Sequence, residues 1–259
     1  MKKTLFMLAI LLVWIVDAHG AIRTEVVDYK HGDTVLEGYL AYDDSLQGKR
    51  PGVIVVHEWW GINNYVRMRT EQLAKLGYIA FAVDMYGKGV RAKDAKEAGS
   101  LSGTYTSDRA LMRSRANAGF EVLKNHSLTD VNRIAAIGYC FGGTTVLEMA
   151  RSGAQLVGVV SFHGGLGTPD PGHAKNIKGK VLALHGGDDP FVPSNEVLAF
   201  QDEMRKAGVD WYFVSYGGAV HSFTNPDSGN DPSRGAAYNE RANKRSWEAM
   251  RLFFAEIFG

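Results

Sequence analysis

The feature that most constrains the fold is the stretch at residues 138–143, Gly-Tyr-Cys-Phe-Gly-Gly, which holds the only cysteine of the chain. An apolar run at 133–137 leads into this stretch, and a helix-compatible run at 144–150 leads out of it. The order predicts a strand, a sharp turn and a helix, with the Cys140 thiol at the turn. Glycine on either side tolerates the strained dihedral angles that such a turn needs. The alternative is a buried, unreactive cysteine beside a glycine-rich helix start.

The same stretch resembles the nucleophile elbow of α/β-hydrolases, G-x-S-x-G, with cysteine in place of serine. A turn of this kind places the thiol at the N-terminus of a helix, where the positive end of the helix dipole stabilises a thiolate or an oxyanion. One cysteine cannot form an internal disulfide. In an oxidising compartment a single thiol is a liability unless it has a use, which favours a catalytic role for Cys140.

The first twenty residues have the pattern of a secretory signal peptide. Two lysines follow Met1, residues 5–16 are almost wholly apolar, and Ala18 and Gly20 suit the −3 and −1 positions of a cleavage site. The apolar run is short for a membrane span, and an uncleaved anchor is the alternative. We therefore expect a periplasmic or secreted protein of the kind that bacteria export, with no stable membrane association after cleavage.

Cleavage after Gly20 predicts that the mature protein begins at Ala21. Mass spectrometry of the protein recovered from the periplasm would test this prediction. A retained Met1 together with membrane association would show an anchor instead.

Residues 21–259 are expected to form a single domain, because about 240 residues suit one large α/β unit and no linker or repeat interrupts them. The chain is 45% hydrophobic, which is ample for a core. Its formal net charge of +1 argues against a nucleic-acid-binding surface. We expect no nucleic-acid partner and a monomer or homodimer.

Hydrophobic periodicity predicts an N-terminal β-hairpin, followed by short apolar strands that alternate with amphipathic helices. The hairpin strands are predicted at 22–29 and 34–42, and the later strands at 51–56, 79–83, 134–137, 156–161, 181–184 and 211–214. The helices are predicted at 65–76, 107–123, 144–150, 197–206 and 244–258. This alternation indicates a mostly parallel central sheet flanked by helices on both faces.

Polar residues follow two of the later strands. Asp188 and Asp189 come after the strand at 181–184, and His221 comes after the strand at 211–214. Chemistry in open α/β sheets collects at the carboxyl ends of the strands. The order nucleophile, acid, histidine is that of the α/β-hydrolase triad. We therefore predict a triad of Cys140, one of the two aspartates, and His221 as base.

Four stretches together resemble the dienelactone hydrolases and spread over most of the predicted mature chain. They are residues 57–61 (His-Glu-Trp-Trp-Gly), 138–143, 186–193 (Gly-Gly-Asp-Asp-Pro-Phe-Val-Pro) and 221–223 (His-Ser-Phe). The resemblance implies the α/β-hydrolase fold and cofactor-independent cleavage of a lactone or ester. It also implies that the second aspartate, Asp189, is the triad acid.

The resemblance further implies a role for the loop after the early strand. In that family a glutamate at the position of Glu58 contacts the resting thiol and helps it ionise when substrate binds. The oxyanion donors are expected to be the backbone N–H of Phe141, which follows the nucleophile, and that of Trp59, to which the resemblance points. The alternative for Glu58 is a structural carboxylate that caps a loop.

The resemblance is weaker at the substrate-binding positions. The family binds a substrate carboxylate with arginines, one of them four residues after the histidine, where this chain has Asn225. The second arginine lies in the segment before the elbow, and the sequence does not choose among Arg91, Arg109, Arg113 and Arg115. An aromatic-rich pocket is expected, built with Trp60, Tyr86, Tyr139, His163, Phe223 and Asn225. For His163 and the aromatic residues, packing in the core is the alternative.

The leading hypothesis is thus an enzyme that hydrolyses a small-molecule ester or lactone. A thioesterase or amidase with the same triad is one alternative, and a non-catalytic periplasmic binding protein of the same fold is another. The eight histidines show no H-E-x-x-H or paired-cysteine pattern, so we predict neither a metal site nor a cofactor.

Overall fold

One sheet of eight strands runs through the part of the chain that the structure describes, residues 21–259 of a computed structural model. The signal-peptide prediction concerns residues 1–20, which lie outside the described residues. The strands are β1 (Ile22–His31), β2 (Thr34–Asp43), β3 (Arg50–Val56), β4 (Ile79–Val83), β5 (Thr129–Tyr139), β6 (Gly158–Phe162), β7 (Lys180–Gly186) and β8 (Trp211–Tyr216). The helices are α1 (Asn64–Lys75), α2 (Ala95–Ser107), α3 (Arg109–Lys124), α4 (Phe141–Arg151), α5 (Ser194–Ala207) and α6 (Glu240–Phe258).

The sheet confirms the predicted fold class. Its strand order is β1-β2-β4-β3-β5-β6-β7-β8. The pairs β1–β2 and β2–β4 are antiparallel, and every pair from β4 to β8 is parallel. The carboxyl ends of β3, β5, β7 and β8 therefore lie along one edge of the sheet, where their following loops can meet.

The two faces of the sheet carry separate apolar cores, which explains why the inner strands read as continuous apolar runs. Successive strand side chains point to opposite faces. In β3, Ile54 and Val56 belong to the core that includes side chains of α3, α4 and α5, whereas Val53 and Val55 belong to the core that includes side chains of α1 and α6. All four of these side chains are fully buried, and each contributes about 1.5–3 kcal/mol by leaving water.

The structure adds one helix to those predicted. The helix expected at 107–123 is α3, and a further helix, α2, precedes it and meets it at Asp108. The Asp108 carboxylate accepts the Leu111 N–H at 2.9 Å and so caps the second helix. The first helix escaped prediction because residues 99–107 are mostly glycine, serine and threonine, which are weak helix formers. Burial of Ala98 and Tyr105 against the rest of the fold accompanies the helix there.

Within residues 21–259, no helix combines the length and the apolar character that a membrane crossing requires.

Candidate active site

Cys140 stands alone between the end of β5 and the start of α4. Its backbone has φ 55° and ψ −117°, a conformation that residues with a side chain rarely adopt. The flanking glycines make the turn possible. A Cβ on Gly138 would lie 2.0 Å from the Gly142 carbonyl oxygen, and a Cβ on Gly142 would lie 2.2 Å from that of Val56. The structure therefore has the sharp strand-turn-helix geometry that the sequence predicts for the thiol.

The acid and the histidine lie after β7 and β8, as predicted. Asp189 Oδ2 lies 2.8 Å from His221 Nδ1, and Asp189 Oδ1 accepts the Phe191 N–H at 2.9 Å. The Asp189 side chain is buried, whereas its neighbour Asp188 is exposed. Of the two aspartates that the sequence left open, only Asp189 contacts His221 within the described chain.

A short loop beyond the histidine holds its backbone in place. The His221 N–H donates to the Gly235 carbonyl at 3.1 Å, and the His221 carbonyl accepts the Ala237 N–H at 3.0 Å. The two bonds make a small parallel bridge. They also bring residues 232–236 beside the imidazole, although these residues follow no strand.

Electrostatics favour a protonated His221 beside the thiol. Burial alone would lower the pKa of His221, but the charge of Cys140 and the hydrogen bond with Asp189 raise it well above its usual value. An imidazolium is therefore stabilised whenever Cys140 is a thiolate. A thiol and an imidazole coupled in this way are the parts of an activated nucleophile.

The two backbone N–H groups predicted to donate to an oxyanion belong to Phe141, next to Cys140, and to Trp59, in the loop after β3. Phe141 is the first residue of α4, so its N–H has no acceptor inside the helix. Neither Phe141 nor Trp59 donates its N–H to a backbone carbonyl among the described residues. The geometry is compatible with the donor pair that the sequence predicts.

His57 fixes the orientation of the Trp59 N–H. Its Nε2 accepts the Met85 N–H at 3.3 Å, so the ring carries its proton on Nδ1, 2.5 Å from the Glu58 carbonyl oxygen. Burial lowers the pKa of His57 to about 4, which keeps the ring neutral. The Glu58 carbonyl and the Trp59 N–H belong to one planar peptide unit. The sequence motif contained His57, but sequence reasoning assigned it no role.

Glu58 is buried beneath the cavity, and the side chains that donate hydrogen bonds to it are neutral. Its Oε2 accepts the Asn225 side-chain N–H at 2.6 Å, and its Oε1 accepts the Ser222 hydroxyl at 3.2 Å. Burial raises the pKa of Glu58, and the hydrogen bonds from Asn225 and Ser222 offset part of this rise. No hydrogen bond joins Glu58 to the Cys140 thiol among the described residues, in contrast to the contact implied by the family resemblance. The Asn225 amide and the Ser222 hydroxyl donate hydrogen bonds to the Glu58 carboxylate instead.

A cavity of about 820 Å³ lies against the thiol and the imidazole. Its walls are mainly aromatic and polar, and they include Cys140, His221, Trp59, Trp60, Phe191 and Asn225. Trp60 and Asn225 were predicted to line the pocket. Phe191 was not, although it belongs to the quoted 186–193 motif. Its ring lies 5.4 Å from the His221 ring, edge to face, and remains 60% exposed.

Four residues predicted for the pocket lie behind its wall instead: Tyr86, Tyr139, His163 and Phe223. Tyr139 points to the α1 face of the sheet and stacks on Phe162 with ring centroids 4.7 Å apart. Tyr86 donates its hydroxyl to the Trp59 carbonyl at 3.0 Å and thereby supports the loop after β3. The aromatic residues on strands and tight loops are used for packing, which was the stated alternative.

The four arginines before the elbow also lie away from the cavity wall. Arg115 contacts Met85 and the N-terminal hairpin, Arg113 pairs with Glu148, and Arg91 donates to the Ile62 carbonyl. Arg109 packs beside Met112. The cation on the wall is Arg234, from the loop that pairs with His221. No sequence signal distinguished this arginine from a solvated surface residue.

Among residues 21–259, no group of three or more histidine, cysteine, aspartate or glutamate side chains is arranged so that it could hold a metal ion.

Comparison with known proteins gives a consistent result. Residues 36–258 match the dienelactone hydrolase family. An uncharacterized protein of Caenorhabditis elegans is 37% identical over 157 residues, which is 59% of this chain and 99% of that protein. A protein of Aquifex aeolicus, provisionally named carboxymethylenebutenolidase, is 27% identical over 234 residues, or 89% of this chain and 97% of its own length.

Among solved structures, one similar chain is described as a dienelactone hydrolase-like promiscuous phosphotriesterase from metagenomic libraries. It is 43% identical and superposes with a TM-score of 0.89 over 93% of this chain and 100% of its own. The strand order, the helices on both faces and this superposition agree in giving the α/β-hydrolase fold.

Proposed function

The chain belongs to the dienelactone hydrolase family, whose members hydrolyse esters or lactones, and on that premise we propose that it cleaves a neutral carboxylic ester or lactone through an acyl-thioester on Cys140. One observation carries the proposal. The thiol at the strained turn shares a cavity with His221, and His221 is held by Asp189 at 2.8 Å. The three groups are a nucleophile, its base and the residue that orients the base.

In the first half of the proposed reaction, the Cys140 thiolate attacks the ester carbonyl carbon. The carbonyl electron pair moves to oxygen, and the N–H groups of Trp59 and Phe141 stabilise that oxyanion. Loss of one such donor typically raises the barrier by about 2.7–4 kcal/mol. The tetrahedral intermediate then expels the alcohol, which takes its proton from the imidazolium of His221, and the acyl-thioester remains.

In the second half, His221 removes a proton from water as the water attacks the thioester carbonyl. The second tetrahedral intermediate expels Cys140 as thiolate and releases the carboxylic acid. The hydrogen bond between Asp189 and His221 Nδ1 leaves Nε2 as the nitrogen that exchanges protons in both halves.

The aromatic wall supports an apolar or aromatic ester as substrate. Trp59 and Trp60 line the same cavity and pack edge to face on each other, and Phe191 packs edge to face on the imidazole. An exposed phenylalanine beside a reactive histidine gains contact area when an apolar group enters. We expect short aryl esters to be turned over faster than alkyl esters of the same acyl group.

A panel of esters, lactones, thioesters and activated amides tests the proposal. We expect turnover of aryl esters and neutral lactones. Turnover of thioesters or amides alone would support the other hydrolase hypotheses, and binding without turnover would support a non-catalytic protein. The panel includes an aryl phosphotriester, because a relative of 43% identity is described as a promiscuous phosphotriesterase. In that second activity the same thiolate would bond to phosphorus and expel the aryl alcohol, which takes its proton from the His221 imidazolium, and water activated by His221 would then cleave the S–P bond.

The structure adds detail to the predicted preference against carboxylated substrates. Asn225 stands where the family resemblance places an arginine, and its amide is already hydrogen-bonded to Glu58. A substrate carboxylate would shed water without a charged partner at that position. Because hydrogen bonds to charged groups are worth about 1.5–3 kcal/mol, we expect kcat/KM for a carboxylated lactone to be about tenfold to hundredfold below that of its neutral analogue.

The Arg234→Gln variant is the control for this measurement, because Arg234 is the cation on the wall. We expect the ratio of the two specificity constants to change little in the variant. A wild-type preference for the carboxylated lactone that disappears in Arg234→Gln would contradict the prediction and would identify Arg234 as the carboxylate-binding group.

Glu58 is proposed to modulate the thiol rather than to form a bond with substrate. A buried carboxylate near a thiol disfavours the thiolate through like-charge repulsion and can accept the thiol proton when substrate arrives. In Glu58→Gln we therefore expect faster alkylation of Cys140 by iodoacetamide near neutral pH, but slower acylation by an aryl ester in pre-steady-state measurements.

Glu248→Gln is a suitable control for the loss of one negative charge, because the Glu248 side chain is exposed on α6 and pairs with Arg251. Alkylation and acylation rates that are the same in Glu58→Gln as in the control would exclude the proposed role.

A further inference from the structure

Four polar side chains form a buried network behind the nucleophile, on the side away from the cavity. His163 Nε2 lies 2.7 Å from Thr224 Oγ1, which in turn lies 2.6 Å from Tyr65 Oη. Arg69 Nε donates to Tyr65 Oη at 3.3 Å. Each of the four side chains is at most 5% exposed. We call these four residues the His163 network.

The network reaches the nucleophile through the backbone. The Cys140 N–H is shared between the Phe162 carbonyl at 3.0 Å and His163 Nδ1 at 3.1 Å. A backbone N–H can only donate, so Nδ1 must be unprotonated. A neutral ring then carries its proton on Nε2, where Thr224 accepts it. These two hydrogen bonds therefore determine the tautomer of His163.

A neutral His163 is also what the surroundings favour. Burial and the charges of His221 and Arg69 lower the pKa of His163 far below its usual value. The His163 ring packs edge to face against the His221 ring, with centroids 5.3 Å apart. A proton on Nδ1 would oppose the Cys140 N–H and would place a second positive charge beside His221.

The backbone at this point needs support. Cys140 has φ 55°, and His163 itself has φ 41°, both in the left-handed region that non-glycine residues rarely occupy. Such conformations persist where the surrounding structure over-determines them. The shared hydrogen bond joins the two strained residues directly. Each of them thus restrains the other at the turn that carries the thiol.

Arg69 anchors the far end of the network. It donates to the Thr224 carbonyl at 2.9 Å and to Asn243 Oδ1 at 2.6 Å. Among the described residues Arg69 forms no ion pair, so its donors are used to hold oxygen acceptors on α6 and on the loop after His221. Because guanidinium can only donate, Tyr65 Oη must accept from it.

We propose that His163 is a positioning residue of the reaction, and that Thr224, Tyr65 and Arg69 hold it in the tautomer that accepts the Cys140 N–H. The proposal rests on the proposed function only in that the nucleophile it positions is Cys140. The direction of the Cys140 thiol depends on a hydrogen-bond acceptor at His163 Nδ1. The contact of the His163 ring with the base, His221, depends on the same acceptor.

The first test compares two substitutions of His163. Asn tolerates positive φ and offers Oδ1 near the place of Nδ1, whereas Leu offers no acceptor. With 4-nitrophenyl acetate, we expect kcat to fall about 100-fold in His163→Leu and less than about tenfold in His163→Asn, with KM nearly unchanged in both. His126→Leu is the control, since His126 is half-buried on a loop at the opposite end of β5. It should keep wild-type kcat.

A second test needs no substrate and remains informative if His163→Leu does not fold. Nitrogen-15 NMR of histidine-labelled protein should show His163 neutral at neutral pH, with its proton on Nε2. Thr224→Val removes the acceptor of that proton while keeping the side-chain shape. We expect His163 in this variant to populate both neutral tautomers. We also expect iodoacetamide to alkylate Cys140 of the variant at a rate that differs from that of the wild-type protein.

A wild-type spectrum with the proton on Nδ1, or a charged His163, would overturn the proposal. So would a folded His163→Leu enzyme with wild-type kcat and alkylation rate. If the ester panel fails while the tautomer and the alkylation results hold, the proposed function is wrong and the positioning role stands.

Discussion

Replacing Cys140 with alanine should lower kcat/KM for short aryl esters by about 10⁴-fold or more, because the variant lacks the proposed nucleophile and cannot form the acyl-thioester. The remaining rate would come from the oxyanion donors and His221 acting on water. The fold should persist. Cys140 is only partly buried, its side chain makes no capping hydrogen bond to α4, and alanine is a small change in volume. Steady-state kinetics and thermal unfolding of the same preparation check both parts.

Cys140→Ser is the matched variant, and it should keep only a small part of the wild-type rate. A hydroxyl keeps its proton until it attacks, whereas a thiol beside an imidazole ionises more readily. Unaltered hydrolysis in the alanine variant would remove Cys140 as nucleophile and, with it, the proposed mechanism.

The second large effect is expected for Asp189→Asn. The carboxylate accepts the His221 Nδ1 proton at 2.8 Å and the Phe191 N–H at 2.9 Å. An amide can keep one acceptor oxygen, but its N–H₂ then faces the other donor. The imidazole is driven towards the tautomer with its proton on Nε2, which cannot act as base. We expect kcat to fall about 10⁴-fold with little change in KM.

Asp188→Asn is the natural control, since this neighbouring carboxylate is exposed and does not bond to His221. It should leave kcat within a factor of about two, as expected for a surface change away from the site. Equal losses in the two variants would point to the loop as a whole rather than to the carboxylate that orients His221.

The reactive groups could be predicted from the sequence because each follows an apolar run of strand length. Parallel strands bring such positions to one edge of a sheet, so the order of Cys140, Asp189 and His221 carries three-dimensional information. The choice of Asp189 over Asp188 needed the family resemblance, and the structure supports it with a hydrogen bond. The hairpin was predicted from two strand-like runs on either side of a turn, and the inner strands were predicted from continuous apolar runs of strand length.

Other features depend on contacts between distant segments and left no local signal. Arg234 reaches the cavity because its loop pairs with the His221 backbone, 13 positions earlier in the chain. His163 and Thr224 are 61 residues apart, and the hydrogen bonds of His163 with Thr224 and with the Cys140 N–H are what favour a positioning role over simple core packing. The helix α2 is similar, since its weak helix formers are held by tertiary packing.

The segments that build the cavity follow β3, β4, β5, β7 and β8, and the last of them closes near residue 236. No early portion of the chain therefore contains a working site. On refolding from denaturant, the inner strands can pair before the loop at residues 232–236 bonds to the His221 backbone. Compaction of the chain should therefore precede the recovery of esterase activity. Activity is in this sense a reporter of the last step of assembly. Any nascent or truncated chain that ends before residue 236 should be inactive however much of its sheet has formed.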